Sequence, residues 1–242
     1  ETVSAALDAD LSSAIVTRES PTLVADAYRT DMACGSVTKL TANKDYQPEI
    51  TNAQRQSFTA TRSDGYKMWI NVTLPRDYKA GTRLPGFIWF YPYEYTDQGG
   101  YDRTKRNYNK NRFPAAGALS KSYLVTQGYA LIEPDAPVFG EQGRMNDNYV
   151  PDLRNNLSAI IDELDRRQII DRQKLGIGGH SYGAFSTVNA LVNTPFFKAG
   201  IAGDGNYNRT LTPNQFQSER RTLWEAQQTY LEMSPFLHAD RM

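Results

Sequence analysis

The chain has 242 residues, enough for one large domain or one domain plus a small appendage at about 100–200 residues per domain. Lys and Arg number 27 and Asp and Glu number 27, so the formal net charge is zero, which argues against a globally basic nucleic-acid binder. The one cysteine, Cys34, excludes an intramolecular disulfide, and the longest near-continuous apolar run, Gly86 to Tyr93, stops at Glu94, far short of the ~18–20 residues that span a bilayer.

Residues 1–55 predict a small antiparallel meander. Ala14–Thr17, Thr22–Tyr28 and Ser36–Leu40 look strand-like, and turn signals at Glu19-Ser-Pro21 and Cys34-Gly-Ser36 separate them. From Ser57 the pattern sharpens. Ser57–Arg62 and Tyr66–Leu74 flank the hairpin signal Ser63-Asp64-Gly65. Tyr66, Met68, Ile70, Val72 and Leu74 alternate with Lys67, Asn71 and Thr73, with Trp69 breaking the rule, as in a half-buried strand. Phe87–Tyr91 reads as a central strand covered on both faces. Phe113–Gln127 has a helical composition and stops at Gly128, a C-cap residue. Tyr129–Ile132 is a further buried strand. Leu153, Leu157, Ile160, Ile161 and Leu164 form one stripe of period 3.6. Lys174–Gly179, Tyr182–Val192 and Lys198–Ala202 read as strand, helix and strand. This alternation predicts an α/β fold with a mostly parallel sheet. The 40 residues after Ala202 read as loop and helix.

The chemistry sits in Leu175-Gly-Ile-Gly-Gly-His-Ser-Tyr-Gly-Ala-Phe185, which contains the G-x-S-x-G pattern Gly179-His180-Ser181-Tyr182-Gly183. Such a pattern is specific when it follows a buried strand and opens a helix, and here it does both. The turn is then so tight that the flanking glycines avoid Cβ clashes. Ser181 Oγ is raised above the sheet edge at a helix N-terminus, where the dipole and the free N–H of Tyr182 favour a developing oxyanion. The alternative is a glycine-rich turn in an unrelated α/β protein. A second oxyanion donor is expected after the third strand, within Phe90-Tyr-Pro-Tyr-Glu-Tyr95. The Tyr91 hydroxyl could serve there, the alternative being an ordinary aromatic rim.

The general base is harder to place. His180 and His238 are the two histidines. His180 directly precedes the nucleophile and points away from it at such a turn. His238 follows without a recognisable acid-bearing strand before it, so a surface position in a Pro-containing turn fits better than a triad role. A serine hydroxyl is a weak nucleophile without a base, so an acid and a histidine are expected beyond Met242. Arg103, Lys105, Arg106, Lys110 and Arg112 form a basic stretch, read as a solvated loop or as a steering patch for an anion. No cysteine pair or H-x-x-E-type spacing suggests a metal site, and no G-x-x-x-x-G-K-S/T or G-x-G-x-x-G pattern suggests a phosphate loop.

The run Gly178-Gly-His-Ser-Tyr-Gly-Ala-Phe185 resembles the nucleophile motif of the prolyl oligopeptidase (S9) serine peptidases. Four later runs are similar to the glutamyl endopeptidase branch of that family: Ala199-Gly-Ile-Ala202, Asn206-Tyr-Asn-Arg-Thr-Leu-Thr-Pro213, Ser218-Glu-Arg-Arg-Thr-Leu-Trp-Glu225 and Met233-Ser-Pro-Phe236. Thr17-Arg-Glu-Ser-Pro21 and Ser36-Val-Thr-Lys-Leu-Thr41 resemble the closing blade of the family's N-terminal β-propeller. The resemblance implies an α/β-hydrolase catalytic domain over 56–242, incomplete at its C-terminus, after the last propeller blade in 1–55. It implies that Ser181 is acylated, that the Tyr182 N–H and the Tyr91 side chain stabilise the oxyanion, and that Asn206, Tyr207 and Arg209 line the pocket for the residue before the scissile bond. Arg209 would there pair with a substrate carboxylate. The sequence departs from the branch at Ala202-Gly-Asp-Gly-Asn206, where Gly203 stands for an Arg and Asp204 for a Ser. That exchange removes a cation, adds an anion, and works against glutamate at the pocket.

The expected activity is therefore serine-type cleavage of peptide bonds, after acidic residues if the resemblance extends to specificity. No cofactor, nucleic acid or membrane is expected, and the 242 residues are expected to be an inactive piece of a longer peptidase. An esterase on the same scaffold and a non-catalytic peptide-binding protein are the alternatives. The resemblance favours the periplasm or secretion over the cytoplasm.

Overall fold

The computed structural model describes residues 1–104 and 111–242. Lys105, Arg106 and Lys110 of the basic stretch lie outside the described residues. The structure divides into two units: Glu1–Ala53 with the described part of Arg106–Tyr123, and the described part of Gln54–Lys105 with Leu124–Met242.

The first unit carries a four-stranded antiparallel meander, β1 (Thr2–Ala6), β2 (Ser13–Ser20), β3 (Leu23–Asp31) and β4 (Val37–Lys39), paired in chain order. A short helix α1 (Pro48–Thr51) follows. Four antiparallel strands in sequence order are the architecture of a propeller blade. Polar contacts organise its turns. Asp8 accepts from the hydroxyls of Ser12 at 2.8 Å and Ser13 at 2.7 Å, which closes the β1–β2 turn. Buried Asp26 accepts from Lys39 Nζ at 2.6 Å, Thr41 Oγ1 at 2.7 Å and the Asn43 N–H at 2.9 Å. These donors hold its carboxyl down at about 2.

The second unit opens with the expected hairpin, β5 (Gln54–Thr61) and β6 (Lys67–Leu74), turned at Gly65 with φ +90°. It continues through β7 (Leu84–Trp89), β8 (Glu94–Tyr95), α2 (Gln98–Asp102), α3 (Tyr123–Thr126), β9 (Ala130–Pro134) and β10 (Val138–Phe139). Then come α4 (Tyr149–Arg166), β11 (Ile170–His180), α5 (Tyr182–Asn193), β12 (Ala199–Gly203) and α6 (Gln227–Glu232). Six strands form one sheet in the order β12-β11-β7-β9-β6-β5. The four from β12 to β9 are parallel, and β6 and β5 are antiparallel. The strands β8 and β10 pair separately and in parallel.

The core follows the sequence periodicities. Met68, Ile70, Val72 and Leu74 are buried on one face of β6, while Trp69 is 38% exposed on the other. The α4 stripe Leu153, Leu157, Ile160, Ile161 and Leu164 is buried throughout. Ile88, Ile132 and Ile177 fill the middle of the three central parallel strands. Each such side chain contributes roughly 1.5–3 kcal/mol through removal from water.

The helix expected over 113–127 is corrected to a single turn, α3. Pro114 and Gly117 interrupt the run, and the Ser120 N–H closes a turn onto Gly117 O at 3.0 Å. Gly128 does cap α3, with φ +83° and its N–H on Val125 O at 3.1 Å. After β12 the described chain forms α6, 3-10 turns and a bridge between Phe216 and Glu219. No helix among the described residues is long and apolar enough to cross a membrane.

Candidate active site

The glycines of β11 are explained by the neighbouring strand. Cβ atoms at Gly176 and Gly178 would stand 2.7 Å and 2.9 Å from the Phe87 ring. Phe87 is buried on β7, which pairs with β11 in this register. The bulk needed to fill this layer comes from one ring, and β11 has to give way to it.

Beyond the ring the chain reverses. Ser181 has φ +56° and ψ −117°, a region costly for a residue with a Cβ. The Ser181 N–H donates to Gly203 O at 2.9 Å, tying the turn to the end of β12, and Ser181 O accepts from the Phe185 N–H at 3.1 Å to start α5. A Cβ on Gly179 would fall 2.8 Å from Gly183 Cα, and one on Gly183 would run into Phe90 O, so neither position has room for a side chain. Tyr182 is the first residue of α5, where the backbone N–H has no intrahelical acceptor.

Tyr91 lies two residues past the end of β7 and is half-buried. The preceding Phe90 N–H donates to Gly178 O at 3.2 Å, which holds this loop against the elbow. The Tyr91 and Tyr182 rings meet edge-on with centroids 5.9 Å apart. The Tyr182 side chain, next in sequence to Ser181, is therefore packed against the Tyr91 ring.

Asn206, Tyr207 and Arg209 follow β12 on a loop folded over α5. Asn206 Oδ1 accepts from the Asn208 N–H at 3.1 Å, and the Tyr207 hydroxyl donates to Ala202 O at 3.1 Å. The Arg209 N–H donates to Ser234 Oγ at 2.9 Å. The Arg209 guanidinium lies 4.0 Å from the Phe185 ring centroid, 4.5 Å from that of Phe216 and 5.5 Å from that of Tyr182. Arg209 is 6% exposed, and its Nε is buried without a hydrogen-bond partner. Burial lowers its pKa, opposed by the neighbouring Tyr182 and Tyr149 phenols and the Glu94 carboxylate.

His180 is exposed, and its Nε2 lies 3.5 Å from Asp204 Oδ2. His238 is half-buried in the 3-10 run Pro235–Arg241. Among the described residues, no cluster of three His, Cys, Asp or Glu side chains is arranged to hold a metal.

Two residues beside the elbow are not singled out by the sequence motifs. Glu94 accepts from the Tyr182 hydroxyl at 2.9 Å and from Ser218 Oγ at 3.0 Å. Its carboxyl is pushed up by burial, against the pull of these hydroxyls and of Arg209. The available signal is a lone acid that ends an apolar run among tyrosines.

The model of the prolyl oligopeptidase family matches residues 120–242, half of the chain and all of the elbow. The chain belongs to the prolyl oligopeptidase family. It is 38% identical over 200 residues to the probable chloroplastic glutamyl endopeptidase of Oryza sativa subsp. japonica, covering 81% of this chain and 21% of that protein. The corresponding protein of Arabidopsis thaliana is 38% identical over 201 residues, with the same coverage. The chain thus spans about a fifth of the length of these curated relatives. Among solved structures, a Mycobacterium tuberculosis puromycin-hydrolyzing peptidase superposes with a TM-score of 0.63 at 18% identity, over 96% of this chain and 36% of that one. This family likeness establishes the fold as α/β-hydrolase, preceded by a blade-like antiparallel sheet.

Proposed function

We propose that this chain carries the nucleophile of a serine-type peptidase that cleaves peptide bonds through an acyl-enzyme on Ser181. The observation that carries the reading is the backbone of Ser181 itself, a non-glycine residue held at φ +56° between a buried strand and a helix N-terminus. Strain of this kind persists where the surroundings over-determine it, and it clusters at active sites.

In the proposed reaction Ser181 Oγ attacks the scissile carbonyl carbon and gives its proton to a base. The carbonyl oxygen becomes an oxyanion facing the Tyr182 N–H and the Tyr91 hydroxyl. Collapse expels the amine, which takes the proton, and water then hydrolyses the ester. His180 faces Asp204, and His238 sits in the 3-10 run after Pro235, so neither is assigned as the base. We assign the base and its acid to sequence outside these 242 residues, and on their own the 242 residues should turn over poorly. The β1–β4 sheet is assigned to the closing blade of a propeller.

Asn206, Tyr207 and Arg209 are assigned to the pocket for the residue before the scissile bond. The aromatic faces around Arg209 fix its plane, and its unpartnered buried Nε leaves donor capacity for a carboxylate. These features support cleavage after acidic residues, while Gly203 and Asp204, which stand for an Arg and a Ser of the branch, work against it.

The test uses the protein expressed from its complete gene. A fluorophosphonate probe should label the wild type and not Ser181→Ala; retained labelling removes Ser181 from the role. A peptide series with Glu, Asp, Gln or Leu before the scissile bond should favour the acids. Arg209→Gln should then raise KM for the Glu peptide about ten- to hundredfold, the worth of a charge-assisted hydrogen bond. Equal turnover of the Glu and Leu peptides would end the acidic assignment.

A further inference from the structure

The proposed chemistry leaves unused a carboxylate that touches its machinery. Glu94 begins β8, three residues after Tyr91. That short strand is clamped in place: the Val138 N–H donates to Tyr93 O at 2.9 Å, and the Gly140 N–H donates to Tyr95 O at 3.1 Å. From this fixed base, Glu94 Oε1 accepts from the Tyr182 hydroxyl and Oε2 accepts from Ser218 Oγ. Tyr182 is 2% exposed, its ring stacked on Phe185 at 5.2 Å and edge-on to Tyr91. Ser218 belongs to the segment whose Phe216 ring covers the Arg209 guanidinium.

One carboxylate therefore fastens three pieces of chain: the loop carrying Tyr91, the first residue of α5, and the segment over Arg209. The cost of drawing a carboxylate out of water makes such a group a poor choice for stability alone, since an apolar replacement that packs well is often neutral or better. What the carboxylate supplies is two directed acceptors at a fixed place. Reaction geometry is sensitive on that scale, because a misplacement of ~1 Å can cost about a hundredfold in rate.

We propose that Glu94 is a positioning residue for the oxyanion site. By holding the Tyr182 side chain it fixes the backbone N–H of the same residue, and through the two intervening residues, Pro92 and Tyr93, it sets the loop that presents Tyr91. This rests on the reading of Ser181 as the nucleophile. The Glu94 carboxylate acts through its two hydroxyl partners, Tyr182 and Ser218.

The test compares Glu94→Gln, Glu94→Leu, Tyr182→Phe and the Glu94→Leu/Tyr182→Phe double variant in the protein expressed from its complete gene. Glutamine can still accept from Tyr182 with its carbonyl and donate to Ser218 with its amide. Glu94→Gln should therefore rescue kcat to within about threefold of wild type. Glu94→Leu and Tyr182→Phe should each lower kcat about ten- to a hundredfold with KM little changed. The double variant should be no worse than the poorer single one, because both break one tie. A role in folding alone would lower the melting temperature without this kcat-selective, non-additive pattern.

Hydrogen exchange of the peptide spanning Gly178–Phe185 gives a readout independent of activity. Exchange should quicken in Glu94→Leu and Tyr182→Phe and stay at the wild-type rate in Glu94→Gln. If the wild type is not labelled at Ser181, the peptidase reading fails, and exchange alone decides whether Glu94 positions the elbow. Wild-type exchange in both Glu94→Leu and Tyr182→Phe overturns the proposal. So does an additive double variant, or a loss confined to KM.

Discussion

Gly183 and the carbonyl oxygen of Phe90 approach so closely that a Cβ on the glycine would overlap that oxygen. The obstacle is backbone, at the end of β7, and cannot rotate away. Gly183→Ala must push α5 off the sheet or break the Phe90 N–H bond to Gly178 O. Overpacking of this kind costs about 1–3 kcal/mol. Chemical denaturation should show that loss, and probe labelling at Ser181 should fall with it. Gly117→Ala, where nothing lies within 4 Å of the added Cβ, is the control and should leave stability unchanged.

The strain at Ser181 gives a prediction of opposite sign. At φ +56° and ψ −117° a Cβ is crowded, at a cost of about 1–3 kcal/mol. Ser181→Ala keeps that Cβ, whereas Ser181→Gly removes it. Glycine also loses more backbone freedom on folding, by roughly 0.5–1 kcal/mol. The net expectation is that Ser181→Gly is more stable than Ser181→Ala by about 1 kcal/mol. Thermal unfolding of the two inactive variants side by side measures it. A lower melting temperature for the glycine variant would mean that the turn holds no such strain.

Two glycines show why the elbow was legible in the sequence. Gly179 and Gly183 stand at fixed offsets from Ser181, and the buried strand and the helix on either side follow from apolar runs with clear periods. The α4 stripe and the β5–β6 hairpin were readable for the same reason. β1 was not, because Thr2–Ala6 is exposed along its whole length and carries no alternation. The segment 113–127 misled because composition favoured a helix while Pro114 and Gly117 broke its phase. The ties of Glu94 to Tyr182 and to Ser218 were missed because 88 and 124 positions separate the partners in the chain. A bond between side chains so far apart leaves no local pattern.

A buried ion pair near the start of α4 offers the last test. Arg62 leaves the β5–β6 turn with its side chain 1% exposed. It pairs with Asp152 on α4 and with Asp64, and donates to Asn156 Oδ1 at 3.3 Å. Asp152 also accepts from the Phe139 N–H at 2.6 Å. Burial raises the Asp152 carboxyl above its ordinary 3.8, while Arg62 and the Phe139 N–H pull it back. Arg62→Ala would leave that carboxylate buried without its cation, at a cost of about 3–5 kcal/mol. The sign with pH follows. Without Arg62 the folded-state pKa rises further above the unfolded value, so the folded state binds more protons and loses stability as pH rises between the two values. The deficit of Arg62→Ala relative to wild type should thus be small near pH 4 and largest near neutrality. Replacing both partners, as in Arg62→Met/Asp152→Leu, should recover much of the loss, because no charge is then left buried alone. Urea denaturation of the three proteins at both pH values measures these differences. A deficit independent of pH would show that Asp152 does not carry the charge that Arg62 balances.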